Sequence, residues 1–323
     1  MYHKLAASCV DINTAYCPCL LAETNHCIAC SHLRGEPLCD CNWSGVCILG
    51  EKQWQSKVRN GSIAPVTERS EIIAKLMRKE EITKNVYLLE LSVSEEMGRE
   101  LQKTGAFVFL RRQDDPQYFH FPVGVMKAKD TSIQVVVEAV GPKSVRLLEP
   151  GIQEMIVRGP YYNGVLGQPW IDNITCGTIL LIAGGMGQPP ALPLAAKLVA
   201  RNKVTAVLAP GKIGKVFIEQ DLKDMGVDVH LVDSMRRNGL GLFGRCLEKD
   251  SLPDLVVSAG PDEQHYAVIA AMQAANVNLP MAATNNATMC CGEGICGSCL
   301  CETQDNRQIK LCKAQTDFGQ LVT

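Results

Sequence analysis

This chain has no apolar run approaching the roughly 20 residues that cross a bilayer, although 46% of its 323 residues are hydrophobic. Its opening residues show no charged-then-apolar leader pattern. It also lacks a basic stripe. The formal charge is -2, and Arg111-Arg112 and Arg236-Arg237 are short pairs that read as solvated loop charges. A nucleic-acid partner is not expected. There is no internal repeat and no low-complexity segment. No paired carboxylates, Ser-His-Asp set or Cys-His pair stands at a spacing that signals a substrate-transforming site. The expectation is a chain that does not enter a membrane and works in the cytosol, where its 16 cysteines are thiols or metal ligands.

Those cysteines are unevenly spread. Between Cys47 and Cys290 only Cys176 and Cys246 occur, and both read as ordinary buried thiols. Eight lie from Cys9 to Cys47 and six from Cys290 to Cys312. Two cysteine-rich ends therefore enclose a cysteine-poor middle.

Near the C-terminus, Cys291, Cys296, Cys299 and Cys312 follow the order C-x4-C-x2-C-x12-C, the spacing of a plant-type [2Fe–2S] loop. Gly292, Gly294, Gly297 and Ser298 lie among them, small enough for backbone N–H groups to approach the sulfurs. A zinc site of four cysteines is the alternative, since Cys296 and Cys299 also form a C-x2-C. Residues 300–304 and 307–311 lie symmetrically about Asp305-Asn306, which predicts a hairpin with a two-residue turn. That register sets Cys312 directly opposite Cys299.

Residues 1–50 show almost no apolar periodicity, so metal must order them, and 51–65 reads as a polar linker. Short β-like runs at 86–93, 106–110, 123–127, 133–140 and 155–158, separated by Gly, Pro and Asp, predict a small antiparallel barrel. Residues 71–81 suit either strand or helix, and 94–103 suits a short helix capped by Ser94. From 178 onward a continuous apolar run at 179–183 and mainly apolar strand-like segments at 204–208, 227–232 and 255–259 alternate with helical stretches at 190–201, 217–225 and 262–275. That is the pattern of a parallel sheet buried on both faces. The fold class is multidomain: an antiparallel β-barrel plus an α/β nucleotide domain, with small metal-ordered modules at both ends. The expected boundaries are 1–50, the linker 51–65, 66–175, 176–283 and 284–323.

Ile182-Ala183-Gly184-Gly185-Met186-Gly187-Gln188-Pro189-Pro190 joins a buried strand to a helix start. A helix N-terminus suits a pyrophosphate, and glycines let the phosphates approach. Any tight strand-to-helix turn also favours glycine. A second such turn, Ala259-Gly260-Pro261, falls at the same carboxyl edge, where ligands of these folds bind. Together the two turns favour a dinucleotide. Lys212 and Lys215 follow the second sheet strand and could meet a 2′-phosphate or be plain loop lysines, so NAD and NADP stay open.

At the other end, Cys9, Cys17, Cys19, Cys27, Cys30, Cys39, Cys41 and Cys47 are enough for two tetrahedral sites. Their spacing is not the bacterial C-x2-C-x2-C-x3-C. The expected occupant is an iron–sulfur centre, [4Fe–4S] favoured, with structural zinc as the alternative. His26 and His32 are dispensable as ligands beside so many thiols.

The order barrel, Gly-Gly-Met-Gly-Gln-Pro-Pro, Gly-Pro and C-x4-C-x2-C-x12-C resembles the ferredoxin–NADP⁺ reductase superfamily. Within it, residues 66–317 are most similar to electron-transfer subunits of bacterial dihydroorotate dehydrogenase. The resemblance implies a barrel holding FAD, an NAD(P) domain and a [2Fe–2S] tail. It places Gly184, Gly185 and Gly187 against the dinucleotide, and Gly260 and Pro261 beside its nicotinamide end. Cys291, Cys296, Cys299 and Cys312 would hold the cluster, with Lys143 and Ser144 near the flavin phosphates. Arg158-Gly159-Pro160 matches the strand that ends the barrel. The flavin motif, Arg-x-[aromatic or aliphatic]-[Ser/Thr], aligns with Phe121-Pro122-Val123-Gly124, which keeps Pro122 and Val123 but loses both polar groups. His120 or Lys143 would replace the missing cation, unless His120 is an ordinary surface histidine. Ala259 stands where the family has a Cys before Gly-Pro.

The implied function is electron transfer between NAD(P)H, FAD and iron–sulfur centres, to or from a separate catalytic subunit in a hetero-oligomer. That partner is expected to be a flavoprotein dehydrogenase. The alternatives are a reductase working with ferredoxin, splitting electron pairs between two acceptors, and a zinc-rich adaptor with a degenerate flavin fold.

Overall fold

The computed structural model of the chain describes residues 69–247 and 252–322, together with Leu5, 7–11, Tyr16 and Ile28. The expected linker 51–65 and Cys17, Cys19, Cys27, Cys30, Cys39, Cys41 and Cys47 lie outside the described residues. The chain divides into two compact units. The larger comprises Met1–Leu5, Glu71–Asn286 and Asp317–Gly319; the smaller comprises Ala6–Ser70, Ala287–Thr316 and Gln320–Thr323. The first strand, β1 (Ser8–Cys9), belongs to the smaller unit.

The larger unit opens with a closed barrel. Its strands are β2 (Ser70–Thr83), β3 (Val86–Ser92), β4 (Phe107–Arg111), β5 (Phe121–Lys129), β6 (Ser132–Glu138) and β7 (Glu154–Tyr161), in the spatial order β2-β3-β6-β5-β4-β7. Alternation along the strands sends Leu89, Leu91, Ile133, Val135 and Val157 inward, all fully buried. Each such aliphatic side chain contributes about 1.5–3 kcal/mol by leaving water. The ambiguous stretch 71–81 is strand. Register shifts at Leu76/Arg78 and Glu81/Thr83 interrupt its two-residue period, so its pattern did not distinguish strand from helix. The short helix α1 (Glu95–Glu100) forms as expected, with Ser94 Oγ accepting from Met97 N at 3.2 Å. A second one-turn helix, α2 (Pro142–Leu147), follows β6.

After β7 the chain crosses to an open sheet. Strands β8 (Val165–Leu166), β9 (Thr178–Gly184), β10 (Lys203–Ala209), β11 (Asp228–Leu231), β12 (Leu255–Ala259) and β13 (Met281–Thr284) take the order β11-β10-β9-β12-β13-β8. All pairs are parallel except β8 with β13. The connecting helices are α3 (Gln168–Asn173), α4 (Gln188–Val199), α5 (Glu219–Asp224), α6 (Leu240–Leu247) and α7 (Asp262–Ala274). Strand β12 is buried along its whole length and β9 along all but its first residue, which explains the unbroken apolar run of β9 and the near-continuous one of β12, where Ser258 is the single polar residue. Helix α4 lays Ala191, Leu192, Leu194, Ala195 and Leu198 on the sheet. Val86, Met126 and Val136 of the barrel belong to the same apolar cluster, so barrel and sheet pack as one body. Cys176 is exposed and Cys246 half-buried, contrary to the expectation of two buried thiols. Among the described residues, no helix is long and apolar enough to cross a membrane.

In the smaller unit, β14 (Leu300–Glu302) and β15 (Gln308–Lys310) form an antiparallel hairpin, and β16 (Ala314–Gln315) pairs antiparallel with β1.

Candidate functional site

Strand β9 connects outward to β10, while β12 returns on its other side. The carboxyl ends of β9 and β12 therefore bound the topological switch point, where open α/β sheets take ligands. The two predicted turns meet there. Gly185 has φ +55°, a conformation that costs glycine nothing. Gly187 packs so tightly that a Cβ would sit 2.1 Å from the Ala259 carbonyl oxygen. Gly187 thus seats the first turn against the second, a role distinct from clearing a path for phosphate.

Side chains not anticipated from the sequence brace the Gly260-Pro261 turn. Thr284 Oγ1 donates to Gly260 O at 3.0 Å, and Asn286 Nδ2 donates to the same oxygen at 2.8 Å and to Asp262 Oδ1 at 2.9 Å. Gln264 Nε2 reaches Ala259 O at 3.2 Å. Buried His265 lies 2.8 Å from Ser258 Oγ and 3.1 Å from Thr284 O. Burial lowers its pKa to about 4, so its imidazole is neutral. Gln188, fully buried, donates to Lys215 O and accepts from Phe217 N, both at 2.9 Å, and so holds the loop after β10. Lys215 Nζ donates to Ile82 O of the barrel at 3.2 Å.

On the barrel, Val123 points into the core, leaving only its backbone for a ligand, whereas Pro122 and Gly124 face the other way. A Cβ on Gly124 would meet nothing within 4 Å, so open space fronts this strand. Lys143 Nζ donates to His120 O at 3.0 Å, bringing the two candidate replacement cations together. His120 is not an ordinary surface histidine: its ring lies 4.7 Å from Phe109. Arg158, paired across the strands with Phe109, holds its guanidinium 4.9 Å from that ring. Ser144 Oγ accepts from Val140 N at 3.1 Å and Gly141 N at 3.2 Å, which makes it a helix cap. Open space beside Gly124 and the Arg158 guanidinium over Phe109 suit a flat, anionic group such as FAD.

The tail cysteines come together as two pairs. Cys291 and Cys296 bond to each other, with Cys296 N donating to Cys291 Sγ at 3.5 Å. Cys299 and Cys312, both free thiols, form a second, hydrogen-bonded pair. Glu293 N also donates to Cys291 Sγ at 3.3 Å, and Gly292, Gly294 and Gly297 have φ of 71°, 74° and 79°. The backbone thus turns its donors towards sulfur. Burial raises the Cys296 pKa, but hydrogen bonds from Ser298 and Cys291 outweigh it and leave the thiol at about 7. The bond to Cys312 holds Cys299 at about 6, while the Cys312 thiol is pushed up by that bond and by burial. Among the described residues no three His, Cys, Asp or Glu side chains surround a single ion position.

The hairpin differs by one residue from its expected register. Leu300 pairs with Lys310, and Leu311 N donates to Cys299 O at 3.0 Å, so Leu311 rather than Cys312 faces Cys299. Thr303 N bonds to Arg307 O, and Asn306 takes φ 58°, giving a three-residue loop with a left-handed third residue. Asp305-Asn306 lacks the glycine that favours a two-residue turn. Cys312 reaches Cys299 because the chain turns sharply after β15, where Lys313 N donates to Lys310 O at 2.9 Å. Lys310 Nζ donates to Gly294 O at 2.6 Å and fastens the hairpin to the cysteine loop.

Of the N-terminal candidates only Cys9 is described, buried in β1. Beside it Asp11 accepts from Lys313 Nζ at 2.5 Å and Arg69 at 2.7 Å. Burial raises the Asp11 pKa, but these two cations prevail and hold the carboxyl below its ordinary value.

No family model matches the chain. It is 31% identical over 186 residues to a probable dihydroorotate dehydrogenase B (NAD⁺) electron-transfer subunit from Methanopyrus kandleri, across 55% of this chain and 67% of that one. It is 25% identical to the corresponding subunit from Shouchella clausii over 249 residues, 75% of this chain and 92% of the relative. Among solved structures, a chain of an NADH-dependent reduced ferredoxin–NADP oxidoreductase superposes with a TM-score of 0.63 at 19% identity, covering 78% of this chain and 90% of its own. A cytochrome P450 reductase from Amycolatopsis gives 0.52 at 16% identity, with 69% and 72% covered. These two establish a shared fold of barrel and nucleotide sheet. The chain belongs to the family of dihydroorotate dehydrogenase B electron-transfer subunits, and is an electron-transfer subunit of a flavin-dependent oxidoreductase.

Proposed function

We propose that this chain relays electrons between a nicotinamide dinucleotide, FAD and a [2Fe–2S] cluster held by Cys291, Cys296, Cys299 and Cys312, and exchanges them with a separate catalytic subunit. The observation that carries this reading is the pairing of the tail thiols. Each iron of a two-iron cluster takes two cysteines, and the pairs Cys291/Cys296 and Cys299/Cys312 meet that need.

When bound, the cofactors supply hydride exchange at the nicotinamide and flavin and one-electron transfer at the cluster. The protein's part is placement. Gly184, Gly185 and Gly187 form the dinucleotide cradle, and Gly260-Pro261, fixed by Thr284 and Asn286, forms the wall beside the reacting end. Arg158, His120 and Lys143 take over the charge role of the missing flavin-motif arginine. Pro122 and Gly124 offer an open strand face to the ring. His265 stays neutral and buried, which keeps the turn rigid without adding charge.

The partner is a flavoprotein dehydrogenase, dihydroorotate-oxidising by analogy with the relatives' names. Exposed Ile295 and Leu300, next to Cys296 and Cys299, provide an apolar surface for it. The N-terminal cysteines hold a second centre, [4Fe–4S] favoured over zinc, and the thiol-rich chain works in the cytosol. The test is iron and acid-labile sulfide analysis of anaerobically purified wild-type protein and Cys299→Ser, with electron paramagnetic resonance after reduction. A [2Fe–2S] signal lost only in the variant supports the assignment. A colourless zinc protein, or an unchanged signal in the variant, refutes it.

A further inference from the structure

A buried ion network joins the N-terminal segment to the tail cysteine loop within the smaller unit. Lys313 Nζ contacts Asp11 Oδ2 at 2.5 Å and Glu293 Oε2 at 3.2 Å. Arg69 contacts the same Asp11 oxygen at 2.7 Å and Glu293 Oε1 at 3.2 Å, and its guanidinium lies 4.0 Å above the Tyr16 ring. Asp11 and Lys313 are fully buried and Arg69 nearly so. Backbone pairing reinforces the junction: Val10 N donates to Lys313 O at 2.9 Å, and Cys9 pairs with Ala314.

The network has a particular position. Lys313 directly follows Cys312, and Glu293 lies between Cys291 and Cys296. Asp11 and Arg69 stand at the two ends of residues 12–68, which contain the other seven N-terminal cysteines. The four charges sum to zero, two carboxylates against two cations. A buried ion set is a weak source of stability, because desolvation offsets its attraction. Its effect on a neighbouring charge is large, because little solvent screens it. Reduction adds one negative charge to an iron–sulfur cluster, and cluster potentials follow the net charge and hydrogen bonds around the sulfurs.

We propose that Asp11 and Arg69 belong to the electrostatic shell of the tail cluster, and that together with Lys313 and Glu293 they hold that shell neutral, so that loss of either one alone shifts the cluster's reduction potential. This rests on the reading that the tail thiols hold a [2Fe–2S] cluster. Asp11 and Arg69 are positioning residues that act through Lys313 and Glu293. Removing Asp11 leaves the shell one charge more positive and eases reduction. Removing Arg69 leaves it one charge more negative and opposes reduction. Removing both restores balance.

The experiment is a redox titration of the cluster signal by electron paramagnetic resonance, on the full-length protein with its cofactors, in wild type, Asp11→Asn, Arg69→Gln and the double variant. Asp11→Asn should raise the reduced-to-oxidised ratio at fixed potential about tenfold, a shift of about +59 mV for one electron. Arg69→Gln should lower it by a similar factor, and the double variant should return close to wild type. Single shifts of the same sign, or shifts below about twofold, overturn the proposal. Should one single variant lose its cluster, the other decides: a shift of the stated sign and size upholds the proposal, and a shift below about twofold or of the opposite sign overturns it. A wild-type protein with no [2Fe–2S] signal refutes the underlying reading as well, and is thereby distinguished from these outcomes.

Discussion

Gly187→Ala tests the junction of the two turns that frame the nucleotide site. The added methyl would lie 2.1 Å from Ala259 O, 2.3 Å from Ala259 C and 2.6 Å from Gly260 N. All three are backbone atoms, and the turn they belong to is fixed by Thr284, Gln264 and Asn286. No flexible side chain can swing aside, so one turn must shift by an ångström or more. Overpacking of this kind costs about 1–3 kcal/mol, and rigid backbone on both sides puts the cost near the upper end. At about 2–4 °C per kcal/mol for a domain of this size, Tm should fall by about 6–12 °C. Displacing the cradle should also raise the KM for NAD(P)H at least tenfold, since an ångström of misplacement is felt strongly at a reacting centre. The matched control is Gly124→Ala, whose methyl meets nothing within 4 Å. It should leave Tm unchanged in the flavin-free protein and reduce FAD occupancy. Scanning calorimetry and NAD(P)H-dependent dye reduction read both variants. A Gly187→Ala protein with wild-type Tm and KM would refute the close seating of the two turns.

His265 gives a pH signature. Its folded pKa, about 4, lies below its ordinary value of 6.5, so the unfolded chain takes up a proton first as pH falls. Its contribution is complete above about pH 6.5 and disappears towards pH 4, a loss of about 3 kcal/mol. His265→Gln should flatten that part of a urea-denaturation pH profile, and parallel profiles would contradict the assignment. Lys310→Met leaves the Gly294 carbonyl without its buried donor and should hasten loss of the cluster's visible absorption, whereas wild-type persistence would count against the fastening role. Lys127→Ala removes the ion pair to Asp221, half-exposed on both sides, and should cost under about 1 kcal/mol in denaturant titration.

Periodicity made much of this architecture legible. The unbroken apolar run at β9 and the largely apolar β10 and β12 signal burial on both faces, and the short apolar runs at β3 and β6, bounded by turn residues, signal barrel strands. Elements that depend on non-local pairing left weaker marks. Strand β8 is two residues long and exists because β13 offers it an edge. Helix α6 is preceded by a wide turn at Met235–Gly239 and carries two glycines that mask its pattern. The tail hairpin was visible as a hairpin but misplaced by one residue, because turn type depends on Asn306 adopting φ 58°.

The candidate site divides in the same way. Cysteine spacing is a specific signal, whereas each glycine turn alone also suits an ordinary strand-to-helix connection, and only the two together point to one sheet edge. Thr284, Asn286 and Gln264 matter through contacts to residues 24, 26 and 82 positions away, and Arg158 through its cross-strand partner Phe109, and no local pattern announces such contacts. Thr284 alone carries a sequence-level signal, a polar residue at the end of a buried strand. The pairing of Asp11 and Arg69 with Lys313 is less visible still, because charged residues near a terminus ordinarily face water.

The most direct test of the relay is anaerobic addition of NAD(P)H to the full-length, cofactor-loaded protein, followed by electron paramagnetic resonance. The account predicts that NAD(P)H alone produces the signal of a reduced [2Fe–2S] cluster, and that Cys299→Ser loses the signal while still oxidising NAD(P)H with an artificial acceptor. Bleaching of the flavin with no cluster signal from the wild-type protein would contradict it.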